Sequence, residues 1–81
     1  MGLKFTTPVK HGSRQFEIRV YENEGDYFVA GYEKGEQKTA GYTVKMEVGF
    51  DFHAYHGSWA HDHLVAAVTD DINNGRIAPG E

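Results

Sequence analysis

From Tyr42 to Phe52 every even position is apolar and every odd one is polar or glycine: Tyr42-Thr43-Val44-Lys45-Met46-Glu47-Val48-Gly49-Phe50-Asp51-Phe52. Successive side chains leave a pleated strand on opposite sides, so this period of two predicts an amphipathic strand over 41–53 with one face on a core and one in water. Phe16-Glu17-Ile18-Arg19-Val20-Tyr21 alternates in the same way. Tyr27-Phe28-Val29-Ala30-Gly31-Tyr32 follows after the polar segment Glu22-Asn23-Glu24-Gly25-Asp26. The pair reads as a hairpin with strands at 15–21 and 27–33. If Tyr21 pairs with Tyr27, then Val20, Ile18 and Phe16 face Phe28, Ala30 and Tyr32, and one register places both apolar rows on one side. After a turn at Lys34-Gly35-Glu36-Gln37, the same parity sets Tyr32, Ala30 and Phe28 opposite Tyr42, Val44 and Met46. Tyr21, Tyr27 and Val29 then join Glu17, Arg19, Thr43, Lys45 and Glu47 on the outer face. Leu3, Phe5, Thr7 and Val9 form a weaker row over 3–9, and Pro8, which donates no hydrogen bond to a ladder, suits an edge strand.

Downstream the period changes. Ala60, Leu64, Ala67, Val68 and Ile72 recur at helical spacing behind Ser58, an N-cap residue. Asn73-Asn74-Gly75 and the later Pro79 end the pattern, which gives a helix over 59–74. The expected fold is α+β: a four-stranded antiparallel β-meander in sequence order, with one C-terminal amphipathic helix packed on one face. Strands 3–9 and 41–53 lie at the two edges. The edge of 41–53 is where a second copy would add to make a homodimer. Trp59, in the first helical turn, either roofs the core or anchors a partner.

At 81 residues there is room for one domain, 1–81, with a thin core, because a chain of this length buries only about 60% of its unfolded surface. Apolar residues make up 40% and charged residues 25%, as in ordinary globular proteins. There is no cysteine, so no disulfide supplements the core. Without an apolar leader or a run long enough to cross a bilayer, the expected location is cytoplasmic and the membrane is not a partner. The formal charge is −4: residues 1–20 are net basic, while 21–37 and 51–81 are net acidic. Binding to a phosphate backbone needs a cationic face that releases counterions, so nucleic acid is not the expected partner.

The connection His53-Ala54-Tyr55-His56-Gly57-Ser58-Trp59-Ala60-His61-Asp62-His63 concentrates imidazoles and a carboxylate. Such donors suit zinc or nickel. A metal here would take His53, His56 and His61, with Asp62 or His63 as alternative ligands. His61 and His63 stand two residues apart on the helix, about 200° around its axis, so they do not chelate one ion from a regular turn. The plainer reading makes these histidines surface and capping residues, with no cofactor. Ser58 near His56, His61 and Asp62 lacks the strand-turn-helix setting of a nucleophile elbow, and no catalysis is expected. The scattered glycines form no phosphate-binding loop.

These readings converge on a small, acidic, non-catalytic protein-interaction module, an inhibitor or regulator of a larger protein complex. The contacts proposed for its protein partner are Tyr21 and Tyr27 on the outer sheet face, Glu22, Glu24 and Asp26 at the acidic turn, and Trp59. In size and charge alone the chain is similar to phage-encoded anti-CRISPR proteins, and no motif adds to that likeness. Two other readings are a metal- or pH-sensing protein using the 53–63 loop, and a nucleic-acid binder using the outer sheet face.

Overall fold

Two-residue turns set the geometry of the sheet. The computed structural model describes residues 2–46, 57 and 60–77. Within them β1 (Gly2–His11), β2 (Arg14–Asn23) and β3 (Asp26–Glu33) follow one another antiparallel. The short β4 (Glu36–Gln37) and β5 (Tyr42–Lys45) both pair with the far edge of β3. The helix α1 (Ala60–Asn73) closes the unit. The architecture is thus the expected antiparallel sheet in sequence order with one C-terminal helix.

The β2–β3 hairpin closes on Asn23 opposite Asp26, so Glu24 and Gly25 alone make the turn. Their φ angles of 49° and 87° are both positive, the pattern of a type I′ turn, whose twist matches that of the flanking strands. Lys34 and Gly35 repeat it between β3 and β4, with φ of 52° and 82°.

This turn corrects the predicted register. Tyr21 lies opposite Phe28, Val20 opposite Val29 and Ile18 opposite Gly31, one residue away from the expected pairing. A slip of one residue moves a whole row to the other face. The helix side of β3 is therefore Tyr27, Val29 and Gly31, while Phe28, Ala30 and Tyr32 lie on the opposite side. β5 pairs Tyr42 with Val29 and Val44 with Tyr27, so its even row does face the core as predicted.

The core consists of Phe16, Ile18 and Val20 from β2, Tyr27 and Val29 from β3, and Val68 and Ile72 from α1. Val9, Tyr42, Val44, Met46, Leu64, Val65 and Ile77 pack around it. Gly31 lets the helix come close: a Cβ there would lie 2.9 Å from Thr39 Cγ2, 3.2 Å from Val68 Cγ1 and 3.3 Å from Ile72 Cδ1. Between β4 and β5 the chain leaves the edge of β3, and its groups at the gap are still satisfied. The Gly31 N–H donates to Thr39 Oγ1 (2.8 Å), and the Lys38 N–H donates to the Gly31 carbonyl (2.8 Å).

Three other expectations change. The edge strand predicted over 41–53 is extended only at Tyr42–Lys45 among the described residues, and Met46 already has helical backbone. The stretch 47–53, and with it most of the edge proposed for a homodimer, lies outside the described residues. In β1 the register shifts between Leu3 and Phe5, so Leu3 pairs with Tyr21 while Phe5 pairs with Val20; the single alternating row breaks at Lys4. The buried stripe of α1 runs through His61, Val68, Asp71 and Ile72, with Leu64 and Val65 half-buried. The helix ends as expected in a Schellman motif, the Arg76 N–H donating to the Asp71 carbonyl (2.8 Å) and the Gly75 N–H to that of Ile72 (3.2 Å).

Candidate interaction surface

Among the described residues α1 packs on one side of the sheet, and the other side is partly covered, with Ala30 buried and Phe28 lying against Gly41. On the other side alternation presents Gln15, Glu17, Arg19 and Tyr21 from β2, with their cross-strand neighbours Leu3, Thr6, Pro8 and Lys10 from β1 and Phe28, Ala30 and Tyr32 from β3. Thr43 and Lys45 of β5 extend this face beyond Phe28 and Asp26. Arg19 sits at its centre. Its Nε donates to Glu17, its Nη1 donates to the Tyr21 hydroxyl (3.1 Å), and its guanidinium carbon lies 4.6 Å from the centre of the Tyr32 ring. The Tyr21 and Tyr32 rings meet edge to face with centroids 6.2 Å apart. Burial, and then the neighbouring Tyr21, push the Tyr32 hydroxyl above its ordinary pKa, against the pull of Arg19.

Each member thus fixes another. Residues 17, 19 and 21 share a face by alternation, and Tyr32 joins them because it lies directly opposite Glu17. Arginine and tyrosine carry much of the binding energy at protein interfaces, and holding them in place beforehand reduces the entropy lost on association. A shallow groove of about 510 Å³ runs beside the cluster, lined by Thr6, Pro8, Gln15, Glu17, Arg19 and Tyr32 and ending at the Lys34-Gly35 turn. Leu3, 55% exposed and opposite Tyr21, adds an apolar side chain at the other end.

Two further polar clusters are structural in character. Asp71 is buried, accepts from the Tyr42 hydroxyl (2.5 Å) and from Arg76 Nε (2.7 Å), and so ties the end of α1 to β5. The Tyr42 hydrogen bond and then Arg76 hold its carboxyl below the usual aspartate range, against desolvation, and the same hydrogen bond raises Tyr42. Beside the groove, at the same Lys34-Gly35 turn, a wider cavity of about 770 Å³ is lined by Arg14, Glu33, Glu36 and Lys38. Arg14 binds Glu33 through two nitrogens (2.9 and 2.7 Å) and Lys38 Nζ lies 3.1 Å from Glu36, so these four charges are paired within the chain.

The sequence-derived candidates separate in the structure. Tyr21 lies on the open face as expected. Tyr27 does not: it is 6% exposed on the helix side, the consequence of the register set by Glu24-Gly25. The two tyrosines proposed as one patch therefore occupy opposite faces, and Tyr32, with Arg19, takes the place given to Tyr27. Glu24 is exposed at the turn and Asp26 half-exposed beside it, while Glu22 pairs with Lys4 (2.7 Å). His61 is buried, its ring stacked on Phe5 (centroids 5.5 Å) and tilted against Tyr27 (4.9 Å). Asp62 and His63 are exposed, so the two histidines of this turn point to different environments. Among the described residues no three His, Asp or Glu side chains come together as a metal site, and His53, His56 and Trp59 lie outside them. No helix among the described residues is long and apolar enough to cross a membrane.

No family model, curated protein or solved structure matches the chain.

Proposed function

We propose that this domain is a non-catalytic protein-interaction module, an inhibitor or regulator of a larger protein complex, that contacts its partner through the open sheet face. The observation that carries this reading is Arg19, held by Glu17 and Tyr21 and stacked on Tyr32, on the side of the sheet away from α1. A solvated sheet face has no need of an interlocked Arg–Tyr–Tyr group. Surface arginines ordinarily contribute little to stability, whereas a fixed arginine among tyrosines is a strong anchor for a partner.

Site-specific cross-linking tests this directly. A photoreactive phenylalanine analogue at position 21, in extracts of the source cells, is expected to capture one discrete protein. Excess unmodified domain abolishes the capture, and Arg19→Ala in the competitor removes its ability to compete. The same analogue at Ala66, exposed on α1, gives no such product. Capture from position 66 but not from position 21 would refute the assignment of the face.

A further inference from the structure

The open face differs in charge from the chain that carries it. Its described residues include Lys10, Arg19 and Lys45, with Lys34 at the rim of the groove, against the carboxylates Glu17 and Asp26. Among the described residues this side is therefore net positive, in a chain whose formal charge is −4. Lys10, Lys34 and Lys45 are exposed, and Arg19 uses two of the N–H groups of its guanidinium in the hydrogen bonds to Glu17 and Tyr21. Leu3, exposed beside Tyr21, supplies an apolar contact at the end away from the Lys34-Gly35 turn.

We infer that the open face takes an acidic segment of a partner protein, with carboxylates directed at Lys10, Arg19 and Lys45 and an apolar side chain seated on Leu3 and Tyr21. This rests on the interaction reading above and specifies its partner. Complementary charge speeds encounter and fixes register, and an arginine pre-positioned by its neighbours loses little freedom on accepting a carboxylate. A second copy is disfavoured on this face, because face-to-face association would bring two net positive surfaces together.

A single-stranded nucleic acid shares the negative charge but needs exposed ring faces on which bases stack. Those faces are taken. The guanidinium of Arg19 lies over Tyr32, Tyr21 meets Tyr32 edge-on, and Phe28 is so closely covered at Gly41 that a Cβ there would fall 2.4 Å from Phe28 Cε2. What remains open are hydrogen-bonding and charged groups with one apolar corner, which suit an acidic peptide better than a base.

The test is a titration of the ¹⁵N-labelled chain, followed by amide chemical shifts, with a short peptide of Glu, Asp and Gly around one Leu. Its Lys/Arg counterpart, its Gln/Asn counterpart and a short oligo-dT are the comparison probes. The acidic peptide is expected to shift the amides of Leu3, Thr6, Arg19, Tyr21, Tyr32 and Lys45, with an affinity that falls as salt rises. Arg19→Glu weakens it about tenfold or more, while Asp62→Lys on α1 leaves it unchanged. If Arg19→Glu loses its dispersed spectrum, Lys10→Glu and Lys45→Glu, both at exposed positions, replace it and each weakens binding.

Equal or stronger shifts of the same amides by the neutral or basic peptide would overturn the acidic assignment and leave the interaction face standing. Preferential binding of oligo-dT at these residues would overturn both. Absence of shifts from every probe overturns the acidic assignment, and the cross-link at position 21 then decides the interaction reading by itself.

Discussion

The two sides of this sheet are ordered by different forces. On the helix side Phe16, Ile18, Val20 and Val29 are at most 1% exposed, and what fixes them is removal of apolar surface from water, a force without direction. On the open side Glu17, Arg19, Tyr21 and Tyr32 fix one another through hydrogen bonds and ring contacts that depend on which residue stands opposite which. The first kind of order survives small rearrangements of partners. The second does not, since a slip of one residue between β2 and β3 would remove Tyr32 from the cluster while leaving apolar residues to bury on both sides. The helix side therefore carries stability, the proposed interaction face is ordered by specific pairings, and substitutions can separate the two.

The largest effect belongs to the core. Ile18→Ala leaves a cavity at a fully buried position and is expected to cost about 3–4 kcal/mol in denaturant unfolding. Asp71→Ala comes next, at about 2 kcal/mol, because it strips the Tyr42 hydroxyl and Arg76 of a shared buried acceptor. This contact also sets a pH dependence. The folded pKa of Asp71 lies below its unfolded value, so its stabilisation is complete above the unfolded aspartate pKa of about 4 and is lost as pH falls through the folded value. Acid titration of the unfolding midpoint should show wild type losing its advantage over Asp71→Asn in that window. Gly31→Ala pushes a methyl group against Thr39, Val68 and Ile72 and should cost about 1–3 kcal/mol, visible as a lower melting temperature. At the small end, Tyr21→Ala and Arg19→Ala should each change stability by less than about 1 kcal/mol while removing the cross-link competition. A loss at Arg19 comparable with that at Ile18 would erase the distinction between the faces.

The sequence made some of this legible for a physical reason. Phe16, Ile18 and Val20 alternate with charged residues, as do Tyr42 and Val44 with Thr43 and Lys45, so only one face of β2 and of β5 could be buried. Tyr27-Phe28-Val29-Ala30 is apolar at both parities. Alternation is silent there, and the length of the turn decides. Gly25 at the second position of a two-residue turn is the signal that decides the register, whereas the polar run over 22–26 suggests a five-residue loop. With that turn the open-face group of Arg19, Tyr21 and Tyr32 follows from counting alone. Asp71 was harder: a carboxylate inside an apolar stripe is explained only by Tyr42, twenty-nine positions away, and no local pattern announces such a partner. At Met46 the alternation misleads, because the residue satisfies the period of a strand while its backbone is helical.

The most direct test of the division between the faces is the affinity of the protein captured at position 21 for the double variant Arg19→Ala/Tyr21→Ala, measured by titration calorimetry beside Asp62→Ala/Asp70→Ala on the exposed side of α1. Binding should be about 100-fold weaker for the sheet pair, as expected for two anchor residues, and unchanged for the helix pair. Wild-type affinity in the sheet pair, or loss confined to the helix pair, would contradict that division.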